Sequence, residues 1–245
     1  MHIKVNTLIK QLDNIAHLPT SVTFDAQKVL DELMALPYEM NPFKSGFRFD
    51  RQMKIHDDDA NWDSIALCSI SGDVYSDPEE PWTGDFKETE ALKKCPYLQE
   101  FIKSMGGGKL LARFENIKPR HSVGWHGHVK EAGQPEWIAV YQMPLSIPKD
   151  SKYSVINYME YRLSDHKTAI PQYDSCYENG TLYVFNSYHY HNAFNYSDEP
   201  MYMIRFYVDS RDENVRSFLE KEISDYKGDL IPTYDEYIAA MASPK

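Results

Sequence analysis

Between Lys109 and Asp209 the chain strings together six short runs rich in β-branched and aromatic residues: L-L-A-R-F-E-N-I, S-V-G-W-H-G-H, W-I-A-V-Y-Q-M-P-L, Y-S-V-I-N-Y-M-E-Y-R-L, T-L-Y-V-F-N-S and M-Y-M-I-R-F-Y-V-D. Turn residues separate them and no helical period intervenes, so each reads as a strand. Parallel neighbours need long crossovers, usually helical, and this stretch has none. The pattern therefore calls for an antiparallel barrel or sandwich rather than a doubly wound α/β sheet. The 18 tyrosines suit half-buried strands better than a helical bundle.

Helical signals flank this region. Val29, Leu30, Leu33, Met34 and Leu36 recur at helical spacing between Phe24 and Leu36, with Thr23 or Asp25 as cap and Pro37 as terminator. Trp62 to Ile70 reads as a strand followed by an S-G-D turn, and residues 77–84 carry too many prolines for regular structure. Thr89 to Met105 is a helix that Pro96 interrupts, stopped by Gly106 to Gly108. Helical spacing returns after Asp212, through Val215, Phe218, Leu219 and Ile223, and again over Tyr234 to Met241. The expectation is one domain over 1–245: an N-terminal part (1–108) packing on a core of strands (109–210), with C-terminal helices (211–245) as buttress.

A formal charge of −11 and a pI near 5.3 speak against a nucleic-acid partner, which needs clustered Lys and Arg. Three widely spaced cysteines, Cys68, Cys95 and Cys176, form neither a disulfide framework nor a C-x-x-C site. No stretch approaches the roughly 18 apolar residues of a membrane span, and the first residues lack an apolar leader core. A cytoplasmic location is the expectation, with no membrane partner.

Five of the nine histidines fall in two windows, P-R-H-S-V-G-W-H-G-H (119–128) and N-S-Y-H-Y-H (186–191). Imidazole is a common ligand for iron, zinc and copper, and residues two apart on a strand share a face, so His126 and His128 would project together. Non-haem iron oxygenases use two His and one carboxylate, leaving three positions open. His126 and His191 fit the two His places, and His128 stands where the carboxylate belongs. His128 either completes a three-His set or hydrogen-bonds substrate. His121 and His189 read as structural. His56-Asp57-Asp58 formally matches His-x-Asp, but a D-D-D run ahead of the strands reads as a solvated loop.

The runs R-F-E-N-I-K-P-R-H-S-V-G-W-H-G-H, M-P-L-S-I-P and G-T-L-Y-V-F-N-S-Y-H-Y-H-N-A-F-N resemble the core of the aspartyl/asparaginyl β-hydroxylase family and its free-proline hydroxylase relatives. The resemblance spans roughly Trp62 to Asp209, and its most specific part is the register of Gly180, Phe185, His191 and Asn195. It implies a mostly β fold with flanking helices, a double-stranded β-helix of the cupin-like jelly-roll kind. It also implies an Fe(II)-dependent dioxygenase that uses 2-oxoglutarate and dioxygen to hydroxylate an unactivated C–H bond of an amino acid, free or peptidyl.

Carried over position by position, the resemblance makes His126 and His191 iron ligands. Two positions depart from the family. His128 replaces the usual Asp or Gly, and a neutral third ligand leaves the metal one unit more positive. The arginine that grips the co-substrate's distal carboxylate is expected about ten residues after the second His, where Met201 stands. Arg205 lies on the same strand face as Met201 and Met203 and is the candidate for that role, since a guanidinium fork matches a carboxylate. Arg113 is a second candidate, for a substrate carboxylate. Two other readings remain: a three-His iron dioxygenase that does not use 2-oxoglutarate, and a non-catalytic metal- or ligand-binding barrel. The oligomeric state is not legible.

Overall fold

The computed structural model describes residues 12, 14–15, 17–43, 62–76, 85–124, 135, 137–156, 172–187, 189–228 and 230. Two antiparallel sheets carry the fold. The larger one joins β1 (His17–Thr23), β2 (Asn41–Phe43), β3 (Trp62–Ser69), β4 (Lys87–Glu88), β5 (Ala112–Ile117), β6 (Ile138–Ser146), β9 (Thr181–Phe185) and β11 (Met201–Asp209). Their order is β1-β9-β6-β11-β5-β3-β2, with β4 pairing β3. The smaller one contains β7 (Ser151–Ile156), β8 (Gln172–Ser175) and β10 (Tyr190–Asn195), with β7 in the middle.

Strand alternation divides the side chains into two cores. On β11, Tyr202, Ile204, Phe206 and Val208 face the helices, while Met201, Met203 and Tyr207 face the smaller sheet. The same split puts Phe114, Tyr141 and Val184 on the helical side and Ile117, Val140 and Phe185 on the other. Tyr153, Val155 and Ala193 of the smaller sheet complete the second core, so the space between the sheets is the interior that a jelly roll encloses.

Helices cover the outer face. α1 (Ala26–Met34) starts at Asp25, whose side chain accepts from Lys28 N, and ends before Pro37 as its sequence requires. Pro96 divides the next helical stretch into α2 (Glu90–Lys93), capped by Thr89, and α3 (Pro96–Ser104), where proline at N1 lacks only an N–H that has no helical partner. Glu32 of α1 caps α3 by accepting from Tyr97 N and Leu98 N at 3.0 and 3.1 Å. α4 (Glu213–Asp225) buries Glu222, which accepts from Ser21 N and Oγ at 2.7 and 2.6 Å and so covers the edge strand β1.

Of the six expected strands, four form as β5, β6, β9 and β11, and β7 takes the fourth run as far as Ile156, residues 157–163 of that run lying outside the described residues. The first hundred residues supply strands to the larger sheet itself, β3 lying beside β5 and β1 beside β9. The second His window splits: β9 ends at Phe185 and β10 begins at Tyr190 in the other sheet. The first His window is described only to Gly124, where Ser122 bridges Phe194. The expected 77–84 loop, the His56-Asp57-Asp58 decoy and the expected 234–241 helix lie outside the described residues.

Candidate metal centre

His191 enters the interior from β10, opposite Val155 of β7, and is fully buried. Its ring stacks on Tyr153 (5.6 Å between centroids, 17°) and meets Phe185 edge-on at 4.5 Å. Nδ1 donates to the carbonyl of His189 at 2.7 Å, which puts a proton on Nδ1, so that in the neutral ring the lone pair is on Nε2. A neutral, rotationally locked imidazole with its Nε2 lone pair turned inward is the form that binds a first-row metal.

The other window histidines have other work. Nε2 of His189 accepts from Asn186 Nδ2 at 3.2 Å, and His121 Nδ1 donates to the carbonyl of Pro119 at 2.7 Å. His126 and His128 lie outside the described residues. Among the described residues no three His, Cys, Asp or Glu side chains gather as a metal site.

Asn195, the end of the resemblance register, fixes the corner beyond His191. Its Nδ2 donates to the carbonyls of Ile117 and Glu199 at 3.0 and 2.8 Å, and its Oδ1 accepts from Ser151 Oγ and Ser197 Oγ at 2.9 and 2.8 Å. One amide thus ties β10 to β5, β7 and the turn into β11.

β11 places Met201, fully buried, at the expected arginine position, and Arg205 further along the same interior face. Arg205 sits directly opposite Arg113 of β5 on one side and Gln142 of β6 on the other. Its Nη2 donates to Glu115 Oε1 at 2.5 Å, with the side chains 14% and 8% exposed. Burial opposes the charge on Arg205, yet Glu115 outweighs it, helped by Tyr207 and Tyr153, and holds the guanidinium protonated. Arg113 is held by the protein: Nε and Nη2 donate to Ser64 Oγ at 3.2 and 2.7 Å, and Nη1 to the carbonyl of Ser76 at 3.2 Å. Two guanidiniums against one carboxylate leave this pocket with a positive excess, suited to an anion.

Neutral donors surround the charges. Gln142 Oε1 accepts from Tyr177, and Tyr153 is hydrogen-bonded to the same Gln142. Burial pushes both phenols well above their ordinary range, and Tyr207 up to about 12, so each keeps its proton at neutral pH. Tyr153 joins the two halves of the site, with its ring on His191 and its hydroxyl in the field of Arg205.

Glu115, Gln142, Tyr153 and Tyr177 were missed by the sequence reading, as was His17, whose ring contacts Tyr153, Tyr177 and Phe185. One signal was present: Arg113 and Glu115 alternate with Ala112 and Phe114, so the strand puts its charges on one face and its apolar residues on the other. With helices on the apolar face, a charged inner face marks a polar interior.

No curated protein matches the chain. Among solved structures, it is similar to an oxidoreductase of the 2OG-Fe(II) oxygenase family from Burkholderia pseudomallei, with 13% identity, 83% of this chain and 89% of that one covered, and a TM-score of 0.50. It is also similar to the non-heme α-ketoglutarate-dependent epimerase SnoN from nogalamycin biosynthesis (13% identity, 86% and 84% covered, TM-score 0.49). A prolyl-4-hydroxylase from Pseudomonas putida has 10% identity over 84% of this chain and 98% of that one, with a TM-score of 0.45. Residues 23–209 match the aspartyl/asparaginyl β-hydroxylase family, three quarters of the chain including both His windows, and the protein therefore belongs to that family of iron(II)- and 2-oxoglutarate-dependent oxygenases, which hydroxylate unactivated C–H bonds.

Proposed function

We propose that this chain hydroxylates an amino acid, free or within a peptide, with His126 and His191 holding the iron, His128 completing the set, and Arg205 taking the distal carboxylate of 2-oxoglutarate. The observation that carries the reading is the line from His191 through Tyr153 to Arg205: a locked imidazole at one end, a protonated guanidinium at the other, and a buried aromatic ring joining them. Iron bound there would couple dioxygen reduction and decarboxylation of the 2-oxo acid to C–H oxidation; the remaining tasks belong to the protein.

His191 contributes orientation, because the bond from Nδ1 to the His189 carbonyl holds the ring in place and makes Nε2 the nitrogen that would face the iron. Arg205 and the phenol of Tyr153 orient the carboxylate end, in a pocket whose walls of Phe185, Val140 and Met203 exclude water and strengthen those contacts. Glu115 shares the guanidinium, so the incoming carboxylate engages an arginine that is already aimed and desolvated. Arg113, firmly held by Ser64 and Ser76, adds charge next to it and serves a substrate carboxylate in this reading. A cytoplasmic location fits the three free cysteines, of which burial pushes the Cys68 and Cys95 thiols up to about 12.

The test is conversion of 2-oxoglutarate to succinate by the iron-loaded protein with ascorbate, over a panel of free amino acids and short peptides. Substrate-stimulated turnover, lost in both His126→Ala and His191→Ala, supports the assignment. Dioxygen uptake that ignores 2-oxoglutarate sinks it.

A further inference from the structure

His17 belongs to neither histidine window, yet β1 delivers it to the same interior, 5% exposed. Its ring stacks on Phe185 (5.2 Å, 18°) and meets Tyr153 and Tyr177 edge-on at 4.6 and 5.3 Å. Nδ1 and Ser175 Oγ are hydrogen-bonded at 2.8 Å. Nε2 is buried and meets no hydrogen-bonding atom of the protein among the described residues. An unmade bond on a buried polar atom costs about 1–3 kcal/mol. Phenylalanine at this position would keep all three ring contacts without that cost. The imidazole therefore brings one unspent hydrogen bond into an otherwise aromatic box.

The surroundings say what would use it. Phe185 touches both imidazoles, His17 and His191. Tyr153 stacks on His191 and, like Tyr177, lies in the field of Arg205. A 2-oxo dicarboxylic acid reaching from a metal on His191 to Arg205 would run along these rings, and His17 packs against all three, stacked on Phe185 and edge-on to Tyr153 and Tyr177. We propose that His17 is a further co-substrate-binding residue, its Nε2–H donating to an oxygen of bound 2-oxoglutarate. The inference rests on the reading of Arg205 given under the proposed function.

Two features of the site fit a neutral donor. Burial, with His189 nearby, holds the His17 pKa down to about 3, so the ring is uncharged at neutral pH and adds nothing to the charge already set by Arg113, Arg205 and Glu115. Placing the proton on Nε2 requires Nδ1 to accept, and the half-buried Ser175 hydroxyl is a donor free to rotate for that purpose. Serine thus does for His17 from the smaller sheet what the His189 carbonyl does for His191, with the tautomer reversed: the ring shows an N–H rather than a lone pair.

The experiment is anaerobic titration of 2-oxoglutarate into the manganese-loaded protein, with thermal melts of the same proteins before ligand is added. In His17→Phe the Kd rises about 10- to 100-fold, the loss of one hydrogen bond to a charged acceptor, while the ligand-free melting temperature is no lower than that of wild type. His17→Gln, whose side-chain amide also donates, recovers most of the affinity. A Kd within threefold of wild type in His17→Phe overturns the inference and leaves the proposed function standing. Affinity lost equally in the Phe and Gln variants, or a lower melting temperature with unchanged Kd, also overturns it, because the ring then only packs. A wild-type protein that takes up manganese but does not bind 2-oxoglutarate overturns the proposed function and this inference together.

Discussion

The Arg205–Glu115 pair makes the sharpest energetic prediction. Removing Arg205 leaves a carboxylate that is 8% exposed, in a pocket of phenols and aliphatic side chains, with its 2.5 Å partner gone. Breaking a buried pair from one side costs about 3–5 kcal/mol. Arg113, two residues from Glu115 on the same face, offsets part of this in Arg205→Met, which places that variant near the lower end. Glu115→Gln has the opposite defect: it leaves Arg205 and Arg113 directly opposite each other with no carboxylate between them. Each single variant is therefore expected to lose about 3 kcal/mol, roughly 6–12 °C in melting temperature for a chain of this size. The double variant Glu115→Gln/Arg205→Met removes both charges at once and should cost little more than either single, giving a coupling energy of about 2–3 kcal/mol. Urea unfolding of the four proteins, without metal or ligand, measures it. Costs that simply add, with coupling below about 0.5 kcal/mol, would refute the claim that the pair is an internally compensated unit.

Two further perturbations follow from geometry. Gly180→Ala should destabilise by about 1–3 kcal/mol in chemical denaturation, because Gly180 has φ +84 and an added Cβ would lie 2.8 Å from the Phe24 carbonyl; a cost under about 0.5 kcal/mol would mean that the turn into β9 relaxes freely. His17 should shape the acid limb of stability: its pKa falls from 6.5 in the unfolded chain to about 3 when folded, so the unfolded chain takes the proton first, and stability complete above pH 6.5 is lost as pH drops toward 3. By pH 5 the loss is about 2 kcal/mol, and His17→Phe should show that much less acid sensitivity in metal-free unfolding curves; identical pH profiles would contradict a buried neutral imidazole.

The fold was legible because its elements obey local rules that need no partner. Pro96 splits a helix wherever that helix packs, Asp25 and Thr89 cap from their own side chains, and the period of two in M-Y-M-I-R-F-Y-V-D sorts its side chains whatever lies opposite. β1 escaped notice because H-L-P-T-S-V-T is short, begins beside a proline and has only Leu18 fully buried; it becomes a strand through pairing with β9, 158 or more residues away. β10 escaped for a related reason, since the four-residue gap after Phe185 that moves the chain from one sheet to the other has no composition of its own.

The site divides along the same line. His191 and Asn195 were readable from a register within one segment, and the face shared by Arg205 and Met203 from a period within one strand. What makes Arg205 a candidate anchor is not local: Glu115 from β5, Gln142 from β6 and Tyr153 from the opposite sheet converge on it only after folding. This bears on the departure at Met201. A side chain at 201 faces Ile117 and the apolar end of the interior, whereas one at 205 faces the polar row of Arg113, Gln142 and Tyr207. Arg205 lies on the same inner face of β11 as Met201, about 13 Å further along at about 3.3 Å per residue, and a short insertion such as Asp198-Glu199-Pro200 before the strand would bring it to the expected arginine place. A 2-oxo acid whose carboxylate is held by Arg205, as proposed, would point toward β6 and Tyr153 rather than toward the β5–β11 corner that Asn195 clamps. His17, Tyr177 and Gln142 lie on that side, so under the proposed function Arg205 and the unspent nitrogen of His17 would serve one and the same pocket.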